Sequence, residues 1–240
     1  MSGKMSIDLV VAVIVAPALF WTAYFYYKDR FQPEPLLKFG SAYLLGLAAA
    51  WGCLKLYDLL PLAGSGLDPE ALPLGGDRMS FLLVNLGVIG PLEEFAKFVP
   101  FFLVTLRFRE FDEKTDGIIY AAAVALGFAS FENLGYLAGL QGFELFGRAV
   151  ASPLTHAVFA SVWGYLVGCA CLKKKSLILP ALAGILLAGL CHGLFNFLTT
   201  SARWRFLGAL LILGIWLWAI VKLEGQKIRE QPKARHRKAD

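Results

Sequence analysis

Apolar residues along this chain come in runs far longer than the three or four turns of an ordinary core helix, separated by short stretches that collect Lys, Arg, Asp, Gly and Pro. A hydrocarbon layer of about 30 Å needs roughly 20 helical residues to cross it. By that measure the runs predict seven spanning helices: Ile7 to Tyr27, Phe39 to Leu60, Phe81 to Leu106, Gly117 to Leu140, Ala149 to Leu172, Ser176 to Leu198 and Phe206 to Leu223. The first run is too long for the apolar core of a signal peptide and lacks a small-residue cleavage site before "FWTAYFYY", so it reads as a retained helix. No connecting segment is long enough for a soluble domain, the longest being the Gly- and Pro-rich loop from Pro61 to Ser80. The expected fold is therefore an all-α, polytopic membrane bundle: one domain over residues 1–224, and a basic tail at 225–240 expected to lack structure.

Composition strengthens this reading, with 58% hydrophobic and 17% charged residues and a mean hydropathy of +0.61. Lys and Arg accumulate in alternate loops, sixteen against five, which orients the N-terminus outside and the tail in the cytoplasm. The tail and the net charge of +5 fit a cytoplasmic segment against anionic lipid better than a nucleic-acid partner. Cys53, Cys169, Cys171 and Cys191 all lie in expected spans, as small buried hydrophobes and not as disulfides or zinc ligands. Glycines recur four apart at Gly135/Gly139, Gly164/Gly168 and Gly189/Gly193, the spacing that lets helix backbones approach.

Against this background the stretch "GPLEEFAKFVPFFLV" stands out, because a charge at mid-bilayer costs about 2.5–3.5 kcal/mol on insertion scales. Lys97 lies about 40° from Glu93 and about 60° from Glu94 around the helix, so it can pair with one glutamate and leave the other over. Neighbouring spans carry Glu132 with Tyr136, His156, and His192 with Asn196. Counted along antiparallel helices at about 1.5 Å per residue, all of these fall toward the same side, the outer half by the loop charges. Titratable groups gathered in a low-dielectric cavity suit acid–base catalysis or proton handling.

The motif His-Glu-x-x-His is absent, as are the serine and aspartyl centres of intramembrane proteases, a P-loop and a dinucleotide fingerprint. What remains is a carboxylate to activate water, with His and Asn donors to stabilise an oxyanion, which is a workable metal-free, cofactor-free peptide hydrolase. A proton- or cation-coupled transporter, or a non-catalytic scaffold, could use the same pocket.

The segments "DRFQPEP", "EEFAK", "DGIIYAAAVALGFASFENLGY", "HAVFASVWGY" and "HGLFN" occur in the order seen in the PrsW-type intramembrane proteases, relatives of the CAAX prenyl endopeptidases. The chain resembles that family from about residue 25 to 200. The resemblance implies a glutamate-dependent endopeptidase of the cell membrane acting on a single-span membrane protein. The family's type member makes the first cut in an anti-sigma factor on its extracytoplasmic side. It further implies Glu93 or Glu94 as base, assisted by His156, with His192 and Asn196 at the oxyanion and Lys97, Glu132 and Tyr136 in support.

Overall fold

The computed structural model describes residues 7–30, 32–59, 77–137, 142–201 and 203–237. Seven helices long and apolar enough to cross a membrane run antiparallel in sequence: α1 Ile7–Lys28, α2 Leu36–Leu59, α3 Arg78–Arg107, α4 Asp116–Tyr136, α5 Glu144–Leu172, α6 Ile178–Thr199 and α7 Arg205–Gly225. No strand occurs among the described residues. Most of the loop expected at 61–80, and Gly139, lie outside them. The helix carrying α7 continues to Arg237, so the backbone is helical through most of the tail read from sequence as unstructured, a stretch rich in Lys, Arg, Gln and Glu.

The expected spans and the observed helices agree except at their ends. The largest shift is at α5, which starts at Glu144 and not Ala149. Arg148 had marked a loop; inside the helix its guanidinium is paired with Glu132 of α4, which removes the reason for the helix to stop there.

α4 is buried on all sides along most of its length and forms the axis of the bundle. Small residues make this possible. A β-carbon at Gly117 would lie 2.2 Å from the Gly164 carbonyl oxygen of α5, and one at Gly46 would lie 1.9 Å from the Val124 carbonyl oxygen of α4, so these backbones touch directly. The α3–α6 seam is equally tight: a β-carbon at Gly90 would meet the Gly189 oxygen at 2.1 Å, and one at Gly193 the Asn85 oxygen at 2.1 Å. The glycine pairs of α5 and α6 are thus true contacts, whereas a β-carbon at Gly135 would meet nothing within 4 Å.

α3 is not uniform. Residues Asn85–Ile89 form one π-helical turn, in which the Gly90 N–H bonds to the Asn85 carbonyl, just before Pro91. Proline has no N–H and crowds the carbonyl four residues back, and the wider turn absorbs that mismatch without breaking the helix. The same solution appears in α1, where the π turn Val11–Val15 precedes Pro17.

At the bundle end opposite Glu132, the segment between α1 and α2 is fastened to α4. Asp29 accepts the Glu34 backbone N–H at 2.9 Å, and Tyr120 donates its hydroxyl to the Glu34 carboxyl. Asp116 accepts the backbone N–H groups of Asp112 and Glu113, capping the turn that begins α4. Burial pushes the Glu34 carboxyl up to about 7; the Tyr120 hydrogen bond opposes the shift, and the charges of Asp29 and Asp112 add to it.

Two outcomes follow for the purified protein in detergent. Gly90→Val should lower thermal stability by at least about 1–3 kcal/mol, because it drives α3 off α6, while Gly87→Val, whose β-carbon meets nothing within 4 Å, should not. The folded state holds the Glu34 proton more tightly than the unfolded chain does. Its contribution to stability is therefore complete below about pH 4.3 and is lost as pH rises through about 7. Thermal melts across that window should show the loss in wild type and a flatter profile in Glu34→Gln.

Candidate active site

Glu93, Glu94 and Lys97 occupy one turn of α3, just beyond the π turn and Pro91, and all three are buried. Glu94 is saturated. One oxygen receives Lys97 Nζ at 2.7 Å and His192 Nδ1 at 2.9 Å, and the other receives the indole N–H of Trp163 at 2.9 Å. Lys97, with 0% of its side chain exposed, reaches Glu93 Oε2 more loosely at 3.6 Å and lies 4.5 Å from the centre of the Phe128 ring. Glu93 accepts one hydrogen bond, from the Tyr57 hydroxyl to Oε1 at 3.0 Å; its Oε2 is buried and makes no hydrogen bond, with Lys97 as a looser ion-pair partner. Lys97 therefore reaches both glutamates, where the sequence reading has it pair with one and leave the other over, and Glu93 is the less tightly held of the two.

Both histidines are held from behind by carboxylates. His192 presents Nδ1 to Glu94, and His156 presents Nε2 to Glu132 Oε2 at 2.8 Å. A carboxylate only accepts, so the imidazole nitrogen facing it carries the proton, and whenever the ring is neutral its other nitrogen offers a lone pair. Those nitrogens turn toward Glu93: His192 Nε2 is 3.6 Å and His156 Nδ1 4.0 Å from Oε2. The rings meet edge to face with centroids 5.0 Å apart, and Phe159 stacks on His192. Three acceptor atoms thus converge from α3, α5 and α6, and only a donor or a cation satisfies such a point.

The convergence point opens into a cavity of about 500 Å³ that reaches Arg148, Ser152, Asn196 and Arg205. Asn196 sits one turn beyond His192, and its Nδ2 donates to Asn85 Oδ1 at 3.2 Å. Tyr136 lies apart from the histidines, under the Arg148 guanidinium at 3.2 Å, and borders a second, mostly apolar cavity of about 340 Å³.

Comparison with known proteins decides the lineage. The sequence profile described as "PrsW family intramembrane metalloprotease" matches residues 34–222. Protease PrsW of Geobacillus kaustophilus is 30% identical over 94% of this chain and 95% of its own length. Protease PrsW of Oceanobacillus iheyensis is 32% identical over 90% and 94%, and that of Bacillus subtilis 26% over 89% and 93%. The chain belongs to the PrsW family of intramembrane proteases. No solved structure matches. Membership of the PrsW family, together with seven spans, makes this a multi-pass membrane protein.

The family description names a metal, and the residues here fit one. Glu93, His156 and His192 each offer a ligand atom, all within 4.8 Å of one another, and two histidines with a carboxylate are a donor set suited to zinc. The carboxylates behind each histidine accept from the ring nitrogen that faces away from the ion position, as partners of metal-binding histidines ordinarily do. The missing His-Glu-x-x-His motif excludes only a site with both histidines on one helix; here they come from two.

Four other contributors were not singled out in the sequence. Trp163 follows His156 by seven residues and so shares its helix face, a signal that was present. Asn85 was visible as an amide inside an apolar run. Arg148 was counted as a loop charge, and Tyr57 has no local signal, being one aromatic among many near a helix end.

Removing one partner of a buried ion pair strands the other. Lys97→Met should therefore destabilise the protein by about 3–5 kcal/mol. Lys55→Met, which breaks the exposed 3.1 Å pair with Asp58, should change stability by no more than about 1 kcal/mol. Denaturant or thermal unfolding in detergent compares the two.

Proposed function

We propose that this chain is an endopeptidase that cuts a single-span membrane protein within or beside the bilayer, with Glu93 taking the proton of the attacking water. The observation that carries this is Glu93 Oε2: a buried carboxylate oxygen without a hydrogen bond, facing two imidazole nitrogens at the wall of a cavity of about 500 Å³. Water between Glu93 and the histidines attacks the scissile carbonyl. As the C–O bond forms, its proton passes to Glu93, and when the C–N bond breaks Glu93 returns that proton to the leaving amine. Asn196 has one N–H engaged by Asn85 and a second to give, so it supplies a donor to the oxyanion. Glu94 and Glu132 orient the imidazoles, Lys97 anchors Glu94 and Arg148 anchors Glu132.

A second reading keeps the same residues and adds a divalent cation, favoured by the three converging acceptors and by the family's description. Glu93, His156 and His192 would hold it. Such an ion polarises a carbonyl and lowers the pKa of water. Under either reading Glu94 and Glu132 set which nitrogen of each histidine faces inward.

The loop charges put the site toward the extracytoplasmic side, and the family resemblance points to a membrane-anchored anti-sigma factor as the kind of substrate. The test uses purified protein in liposomes with a single-span reporter. Glu93→Gln, His156→Ala and His192→Ala should each lower kcat by at least about 100-fold. Wild-type rates in all three overturn the proposal. Elemental analysis of the same samples separates the readings. One zinc per chain, lost in the histidine variants together with chelator-sensitive cleavage, supports the cation. Metal-free protein with chelator-resistant cleavage supports Glu93 acting without one.

A further inference from the structure

The apolar cavity of about 340 Å³ lies between α2 and α4, lined by Ala50, Cys53 and Leu54 on one side and Phe128, Phe131 and Gly135 on the other. It shares two residues with the polar cavity, Glu93 and Glu132, which therefore stand as a partition between the two spaces. Glu93 faces both ways: Oε1 is held by Tyr57 beside the apolar space, and Oε2 points to the histidines. A chain whose carbonyl lies at Glu93 has its neighbouring side chain at the mouth of the apolar space.

We propose that this cavity is a substrate side-chain pocket, selecting a bulky apolar residue such as Phe, Leu or Met next to the bond that is cut. The proposal rests on the protease reading above and adds to it the class of residue recognised. The walls carry the argument. Phe128, Phe131, Ala50, Cys53 and Leu54 make most of the lining apolar, with the Tyr57 and Tyr136 hydroxyls as its other polar groups, so the space rewards apolar bulk. The partition toward the polar cavity carries the Glu93 and Glu132 carboxylates, a poor lining for a lipid chain but a good one for a peptide, whose backbone N–H groups can be accepted there. Leu54 is 47% exposed, so the pocket is walled on its outer side by a side chain that lies at the surface of the bundle.

Gly135 makes the pocket testable, because a β-carbon there meets no atom within 4 Å and a larger residue fills the cavity without pushing on the backbone. Single-span reporters that differ only in the residues flanking the scissile bond would be incubated with wild-type protein in liposomes, and products mapped by mass spectrometry. At one flanking position Phe or Leu should be cleaved at least about tenfold more efficiently than Ala, since single methylene differences in such pockets change kcat/KM by about 10–200-fold. Gly135→Leu should reduce that Phe-to-Ala ratio at least tenfold, and Leu54→Ala should raise acceptance of Trp. Gly40→Leu adds the same bulk at an equally open position near the other end of α2 and should leave the ratio alone. Melting curves show that each variant is folded. Cleavage with no flanking preference, or with a ratio unmoved by both Gly135→Leu and Leu54→Ala, overturns the pocket and leaves the protease reading standing. No cleavage of any reporter overturns the protease reading and the pocket with it.

Discussion

Three carboxylates, Glu93, Glu94 and Glu132, gather around the candidate site against the two cations Lys97 and Arg148, and the ammonium of Lys97 is the one that reaches two of them. Desolvating that many charges costs several kcal/mol each unless every group is met by a partner. Much of the surrounding structure consists of those partners. Trp163 and His192 complete the shell of Glu94, Tyr57 holds one side of Glu93, and Arg148 with His156 brackets Glu132. The glycine seams matter for the same reason. Contacts of 2.7–2.9 Å around Glu94 require α3, α5 and α6 at close quarters, and only backbones without β-carbons approach so far.

Within this shell the two adjacent glutamates are not equally satisfied. Glu94 has no spare oxygen and cannot take a proton without losing a partner. Glu93 differs from it by one position in the helix, about 100° of rotation. That rotation faces it toward a cavity and not toward Trp163. Adjacent and chemically identical residues thus come to differ, one fully hydrogen-bonded and the other bordering a cavity, through helix geometry and the partners it selects.

The seven spans and the convergence of Glu93, Glu94, Lys97, Glu132, His156 and His192 were legible in the sequence, because charge inside an apolar run is conspicuous and antiparallel counting gives depth. Which glutamate is the more loosely held was not legible. Glu93 and Glu94 are separated by what Trp163 and His192 do from other helices, and sequence spacing carries no information on that. Arg148 stands just outside the expected span from Ala149 because hydropathy alone ends a span at a cation, whereas its partner Glu132 on α4 lets it stay inside the helix. Metal-ligand spacing was equally opaque: donors drawn from three helices leave no local pattern to find.

The backbone contact at Gly46 and Gly127 pins α2 to α4 in the first half of α2, while farther along, from Ala50 to Tyr57, a cavity separates the same two helices. Packing between the two helices is thus graded, backbone against backbone at the glycines and side chain against side chain around Ala50, Cys53 and Phe128. The free volume beside Glu93 lies where side chains, and not backbones, set the spacing of α2 and α4.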